Sequence, residues 1–173
     1  VQLVDAPGAE LYIEQRFVFD LKNAEPGEVF GANDALVYQP AAKRLVVFDY
    51  KHGVGVSVSV EDNAQLKFYA AGAALSHPDW QISTVELVVV QPRAMDADIN
   101  GEVRRWTMHP VELIEFAGQV DLAVGEAKQA ADYYRQTGLF VDGDLATGKW
   151  CRWCDAAAVC PAAQRRALEV AVS

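Results

Sequence analysis

The alternation of apolar and polar positions divides the chain into a strand-rich first half and a helical second half. Residues 11–20, LYIEQRFVFD, alternate as a strand does. The segment LKNAEPGE follows with the turn residues Asn23, Pro26 and Gly27. VFGANDALVYQ (29–39) reads as a second strand, PAAKR as a turn, and LVVFDYK (45–51) as a third strand. Three strands joined by short connections predict an antiparallel meander. HGVGVSVSV then reads as an extended loop leading away from the third strand's tip. Residues 61–75 switch to helical spacing, with Leu66, Tyr69, Ala70 and Ala73 on one stripe and Glu61, Asp62 and Asn63 at the start. TVELVVVQPR (84–93) is apolar enough for a strand buried on both faces, and EVRRWTMH (102–109) reads as an edge strand. A long helix is expected over 110–136, with Leu113, Phe116, Val120, Val124 and Ala127 inward, and a short one over 162–170. The order βββαβ(β)α predicts an α/β fold in which helices flank a mixed β-sheet, within one domain spanning 1–173.

Composition fits a soluble globular chain: 51% of its 173 residues are hydrophobic and 23% charged. No window approaches the ~20 consecutive apolar residues of a membrane span. Residues 1–12 lack the basic start of a secretory signal, so a cytoplasmic location is expected. The net charge of −9 lowers the expectation of a nucleic-acid partner, although binding depends on local patches. The three cysteines, Cys151, Cys154 and Cys160, cluster too tightly and in too odd a number for a disulfide framework. In WCRWCDAAAVCP they form C-x2-C followed by C-x5-C, a spacing suited to an iron–sulfur cluster or zinc, either of which needs a fourth ligand.

Candidate chemistry gathers at the third strand's tip. Asp49 and Lys51 share one strand face, and a short turn brings Asp34 of the second strand near them. Two neighbouring carboxylates repel unless a cation lies between them, and oxygen ligands suit Mg²⁺. Lys51 is placed to orient or deprotonate an attacking water, so the set points to hydrolysis of a phosphodiester. Taken alone, Asp49 and Lys51 read more simply as a strand-end ion pair and Asp34 as a turn residue. Gln65 and Tyr69, four apart on the predicted helix, present together, either to the site or as a solvated amide beside a core phenol.

The ordered set G-x-x-D (Gly31, Asp34), D-x-K (Asp49, Lys51), Q-x-x-x-Y (Gln65, Tyr69) and a C-terminal cysteine triplet resembles the RecB-like exonucleases of the PD-(D/E)XK superfamily. The likeness is greatest to phage-encoded members and to CRISPR-associated exonucleases with a cysteine cluster, and it covers roughly residues 11–161. It implies a restriction-endonuclease-like core and a DNA exonuclease using Mg²⁺ or Mn²⁺. Asp34, Asp49 and the Tyr50 carbonyl would be metal ligands, joined by Glu14 on the preceding strand. Lys51 would be the catalytic lysine, and Gln65 and Tyr69 would contact DNA or support the site. Cys151, Cys154 and Cys160 would bind a 4Fe–4S cluster or Zn²⁺, with the fourth ligand outside this chain. The family's upstream helix has no counterpart before Val1, which fits loss of an N-terminal helix together with the initiator Met. Implied partners are a DNA substrate and a single-strand annealing or recombination protein, in a bacterial or phage-infected cell. The alternative is a non-catalytic binding or assembly module that keeps the fold.

Overall fold

The computed structural model of the chain describes residues 4–94, 101–141 and 143–172. These group into two compact units, Val1–Val124 and Gly125–Ser173. In the first, a five-stranded mixed sheet is flanked by helices. Its strands are β1 (Glu10–Ile13), β4 (Ala35–Gln39), β5 (Arg44–Tyr50), β6 (Thr84–Val90) and β7 (Val103–Met108), in the order β1-β4-β5-β6-β7. Only β5 and β6 are parallel; a parallel pair needs a crossover, and α1 (Ala64–Ser76) supplies it. β7 pairs only with β6 and forms the expected edge. The long helix α2 runs over Val111–Thr137; of its expected inward positions Leu113 is buried and Phe116 packs on the core, whereas Ala127 is exposed.

The expected strands over 11–20 and 29–39 are each broken in two. β2 (Arg16–Phe19) and β3 (Val29–Ala32) form a separate two-stranded ribbon. Glu14 takes a left-handed backbone, φ 51°, which flips the pleat. The ribbon stays joined across the break through Glu14 N–H to Asp34 O (3.0 Å) and Asn33 N–H to Gln15 O (3.1 Å). The core-facing parity therefore changes from even to odd. Tyr12 and Leu36 lie in or against the core on one side of the break, and Phe17 and Phe19 on the other. Leu11 and Ile13, which the alternation aligns with Phe17 and Phe19, are instead 51% and 68% exposed.

One core unites the sheet and α1. Leu45 and Val47 of β5 and Val85, Leu87 and Val89 of β6 share a face with Leu66, Ala70, Ala71 and Ala73 of α1. Small residues let the ribbon approach the helix closely: a Cβ at Gly72 would lie 2.6 Å from Phe17 Cβ. The helix starts later than expected. Asn63 caps it, its side chain accepting the Leu66 N–H at 3.1 Å, so Glu61 and Asp62 lie outside. On the opposite sheet face β6 is less apolar than expected, because Glu86 is buried there. It pairs with Arg44 and, at 2.7 Å, with Arg105.

The second unit contains the end of α2, a 3-10 turn at Lys149–Trp153 and α3 (Pro161–Ala171). None of its described residues is buried. Among the described residues no helix is long and apolar enough to cross a membrane.

Candidate active site

The sheet topology explains why residues far apart in sequence meet. Asp49 points to the same face as Leu45 and Val47, and α1 crosses that face between the parallel strands β5 and β6. Lys51, just past the end of β5, is held by its own N–H to Val90 O at 2.8 Å. Its ammonium reaches both Asp49 oxygens, Oδ1 at 3.0 Å and Oδ2 at 2.8 Å. It also donates to Gln65 Oε1 at 3.1 Å, and Gln65 Nε2 donates to the Tyr69 hydroxyl at 2.8 Å. The run Asp49–Lys51–Gln65–Tyr69 thus joins the strand tip to the first turns of α1. The Asp49 side chain is 6% exposed and that of Lys51 30%, so the pair faces solvent from the lysine side.

Asp34 arrives through the break in β3–β4 rather than from within a strand. The β4–β5 ladder ends at Ala35 opposite Phe48, which leaves the backbone of Tyr50 without a strand partner on that side. The Asp34 carboxylate fills the place, Oδ2 accepting the Tyr50 N–H at 2.6 Å. N–H and C=O of one strand residue point to the same side, so the Tyr50 carbonyl opens toward Asp34 as well. Asp34 and Asp49 therefore bracket one short stretch of backbone. Two carboxylates and a carbonyl are the hard oxygen donors that Mg²⁺ or Mn²⁺ prefers. Glu14 lies opposite Asp34 across the ribbon; its backbone bonds Asp34 and its side chain is exposed.

Three features escaped the sequence reading, two of them near the site and one on the opposite sheet face. Asn33, next to Asp34, is fully buried, and neither its Oδ1 nor its Nδ2 has a hydrogen-bond partner. His52 stands between Tyr50, whose hydroxyl lies 3.4 Å from Nδ1, and Arg93, whose Nη1 lies 3.2 Å from Nε2. The signal for this set was positional: His52 and Arg93 follow the ends of neighbouring parallel strands, where their tips coincide. Glu86 was hidden inside a run of valines.

Cys151, Cys154 and Cys160 are free thiols in the second unit. Successive tight turns compact their segment, with Cys154 N–H to Cys151 O at 3.2 Å and Ala157 N–H to Cys154 O at 3.0 Å. The Cys151 sulfur accepts the Gly148 N–H at 3.3 Å, and Cys160 directly precedes α3. Among the described residues no three His, Cys, Asp or Glu side chains stand close enough to hold a metal ion.

Over residues 2–173 the sequence matches the family described as "Protein of unknown function (DUF2800)", and the chain belongs to that family. A solved structure titled "Crystal structure of SSO0001" superposes with a TM-score of 0.44 at 15% identity, covering 92% of this chain. The chain spans 63% of the length of that structure.

Proposed function

We propose that this DUF2800 chain is a metal-dependent DNA exonuclease of RecB-like type, with a restriction-endonuclease-like core, acting in recombination, repair or end processing. The observation that carries the reading is the hydrogen-bonded run from Asp49 through Lys51 and Gln65 to Tyr69, beside an Asp34 bound to the backbone of Tyr50. A simple strand-end ion pair needs neither Gln65 nor Asp34. Asp34, Asp49 and the Tyr50 carbonyl are the residues that would hold Mg²⁺ or Mn²⁺, and when bound the cation supplies Lewis-acid polarisation of the phosphodiester. Lys51 orients the attacking water and balances charge at the scissile phosphate. Gln65, fixed by Tyr69, keeps the ammonium aimed at the site.

Cleavage of linear DNA tests this directly. Wild type with Mg²⁺ or Mn²⁺ is expected to release acid-soluble nucleotides, while Asp34→Asn and Asp49→Asn release almost none. Equal release by all three ends the reading. Stable DNA binding without turnover at either metal leaves the non-catalytic module instead.

The cysteine segment belongs to the same reading as an iron–sulfur or zinc site completed by a ligand from outside it. Its support is the absence of any buried residue among those described in the second unit, since small units without a core usually rely on a metal or cross-link. Anaerobically purified protein is expected to show visible cluster absorbance or stoichiometric zinc; a colourless, zinc-free sample that is fully folded removes both.

Packing beneath the site gives a further expectation. A methyl group at Gly31 would lie 2.7 Å from Phe68 Cε1 and 3.1 Å from Tyr69 Cε1. Gly31→Ala is therefore expected to shift Tyr69 and lower stability by about 1–2 kcal/mol in urea unfolding. It should also reduce cleavage, because the Tyr69 hydroxyl holds Gln65. Unchanged stability would mean that the two rings give way freely.

A further inference from the structure

The second unit carries cations and exposed indoles that the proposed nuclease centre does not use. In a chain of net charge −9, residues 145–168 hold Lys149, Arg152, Arg165 and Arg166 against Asp155, with Asp144 and Glu169 flanking the stretch. Trp150 is 60% and Trp153 76% exposed, although tryptophan is ordinarily well buried.

Trp150 is held in place, and Trp153 is paired with a cation. A Cβ at Gly148 would collide with Trp150 Cη2, so the indole lies against backbone that only glycine leaves bare. Its Nε1–H donates to Ala146 O at 3.4 Å, which fixes the ring. The Arg152 guanidinium sits 4.7 Å from the centroid of the Trp153 ring. Arg166 of α3 reaches the same segment, donating from Nη1 to Thr147 Oγ1 at 3.3 Å. Beside it lies an open cleft of about 700 Å³ lined by Thr147, Lys149, Cys151 and Arg166.

Exposed aromatic faces interleaved with cations are what an unpaired nucleic-acid strand requires: bases stack and phosphates meet the charges. A duplex hides its base faces, and a bilayer offers no planar ring to stack on an indole. We propose that Trp150 and Trp153, with Lys149, Arg152 and Arg166, form a stacking platform for single-stranded nucleic acid. The inference rests on the exonuclease reading only in taking DNA as the strand.

The test is fluorescence anisotropy of labelled oligo(dT) with the full chain at low salt, without added divalent cation, so that binding is read apart from cleavage. Trp153→Ala and Trp150→Ala are each expected to weaken binding about five- to a hundredfold, and Trp153→Phe to restore most of the loss. Lys149→Gln with Arg166→Gln should flatten the dependence of affinity on salt. Because Trp153 is largely exposed, its loss reports on binding even if Trp150→Ala disturbs folding. Oligo(U) bound as well as oligo(dT) supports the platform and makes its strand RNA as well as DNA. Wild-type affinity in the Trp153→Ala variant, preference for duplex, or binding to phosphatidylserine vesicles with none to oligo(dT) each overturns the proposal. Trp-dependent binding in a chain that cleaves nothing leaves it standing while the nuclease reading falls.

Discussion

Lys51→Ala is expected to lower DNA cleavage by about two to three orders of magnitude, the range for removing a preorganised electrostatic group. It should also destabilise the fold. The Lys51 ammonium is the partner of both Asp49 oxygens, and Asp49 is buried. Removing one member of a buried pair leaves an uncompensated charge, at about 3–5 kcal/mol when water is fully excluded. The lysine's own 30% exposure lets water in, so about 1–3 kcal/mol is expected for this pair. Asp49→Asn abolishes activity as well, but it strands only a long, flexible ammonium that can turn to solvent, so its stability loss should stay below about 1 kcal/mol. Two variants equally inactive yet unequally stable are the signature. The double variant Asp49→Asn/Lys51→Met should recover stability without recovering cleavage. Urea unfolding beside the nuclease assay measures both. Cleavage by Lys51→Ala close to the wild-type rate would return Asp49 and Lys51 to an ordinary strand-end pair.

Replacing both arginines around Glu86, as Arg44→Met/Arg105→Met, is expected to destabilise the fold by about 3 kcal/mol. The Glu86 side chain is 7% exposed in the middle of the sheet, and each arginine takes one of its oxygens, Arg44 at Oε2 and Arg105 at Oε1. Each single replacement leaves one partner and should lower stability by about 1 kcal/mol or less. Adding Glu86→Leu to the double variant should restore stability to the wild-type level or above, because an apolar side chain among Val46 and Val88 needs no partner. Cleavage should persist in that triple variant, since Glu86 and Asp49 occupy opposite faces of the sheet. Thermal unfolding decides the matter: a double variant as stable as wild type would mean that water already solvates Glu86.

Much of the first unit was legible from residue order. The β5 strand, its D-x-K tip and the four-residue spacing of Gln65 and Tyr69 all follow from periodicity, because side-chain direction within one element is set locally. The apolar run of β6 and the short turns of the meander likewise specify a layered sheet before any contact is known. The break after Ile13 was not legible. LYIEQRFVFD alternates well enough to read as one strand, and the polar run Glu14–Gln15–Arg16 does not by itself mark Glu14 for a left-handed backbone. Reversing the pleat there exposes Leu11 and Ile13, buries Phe17 and Phe19, and frees the Asp34 carboxylate for the Tyr50 N–H.

The sequence by itself determined which side chains share a face within each strand or helix, and therefore which residues were worth suspecting. Only the tertiary structure decided which of them touch. Lys51 meets Gln65 because β5 and β6 run parallel and α1 must cross between them; Glu86 is tolerated because its two neighbouring strands each offer an arginine. Such pairings depend on strand register, where a slip of one residue sends every side chain to the opposite face. Local periodicity carries no information about that choice; the packing of the whole sheet against α1 makes it.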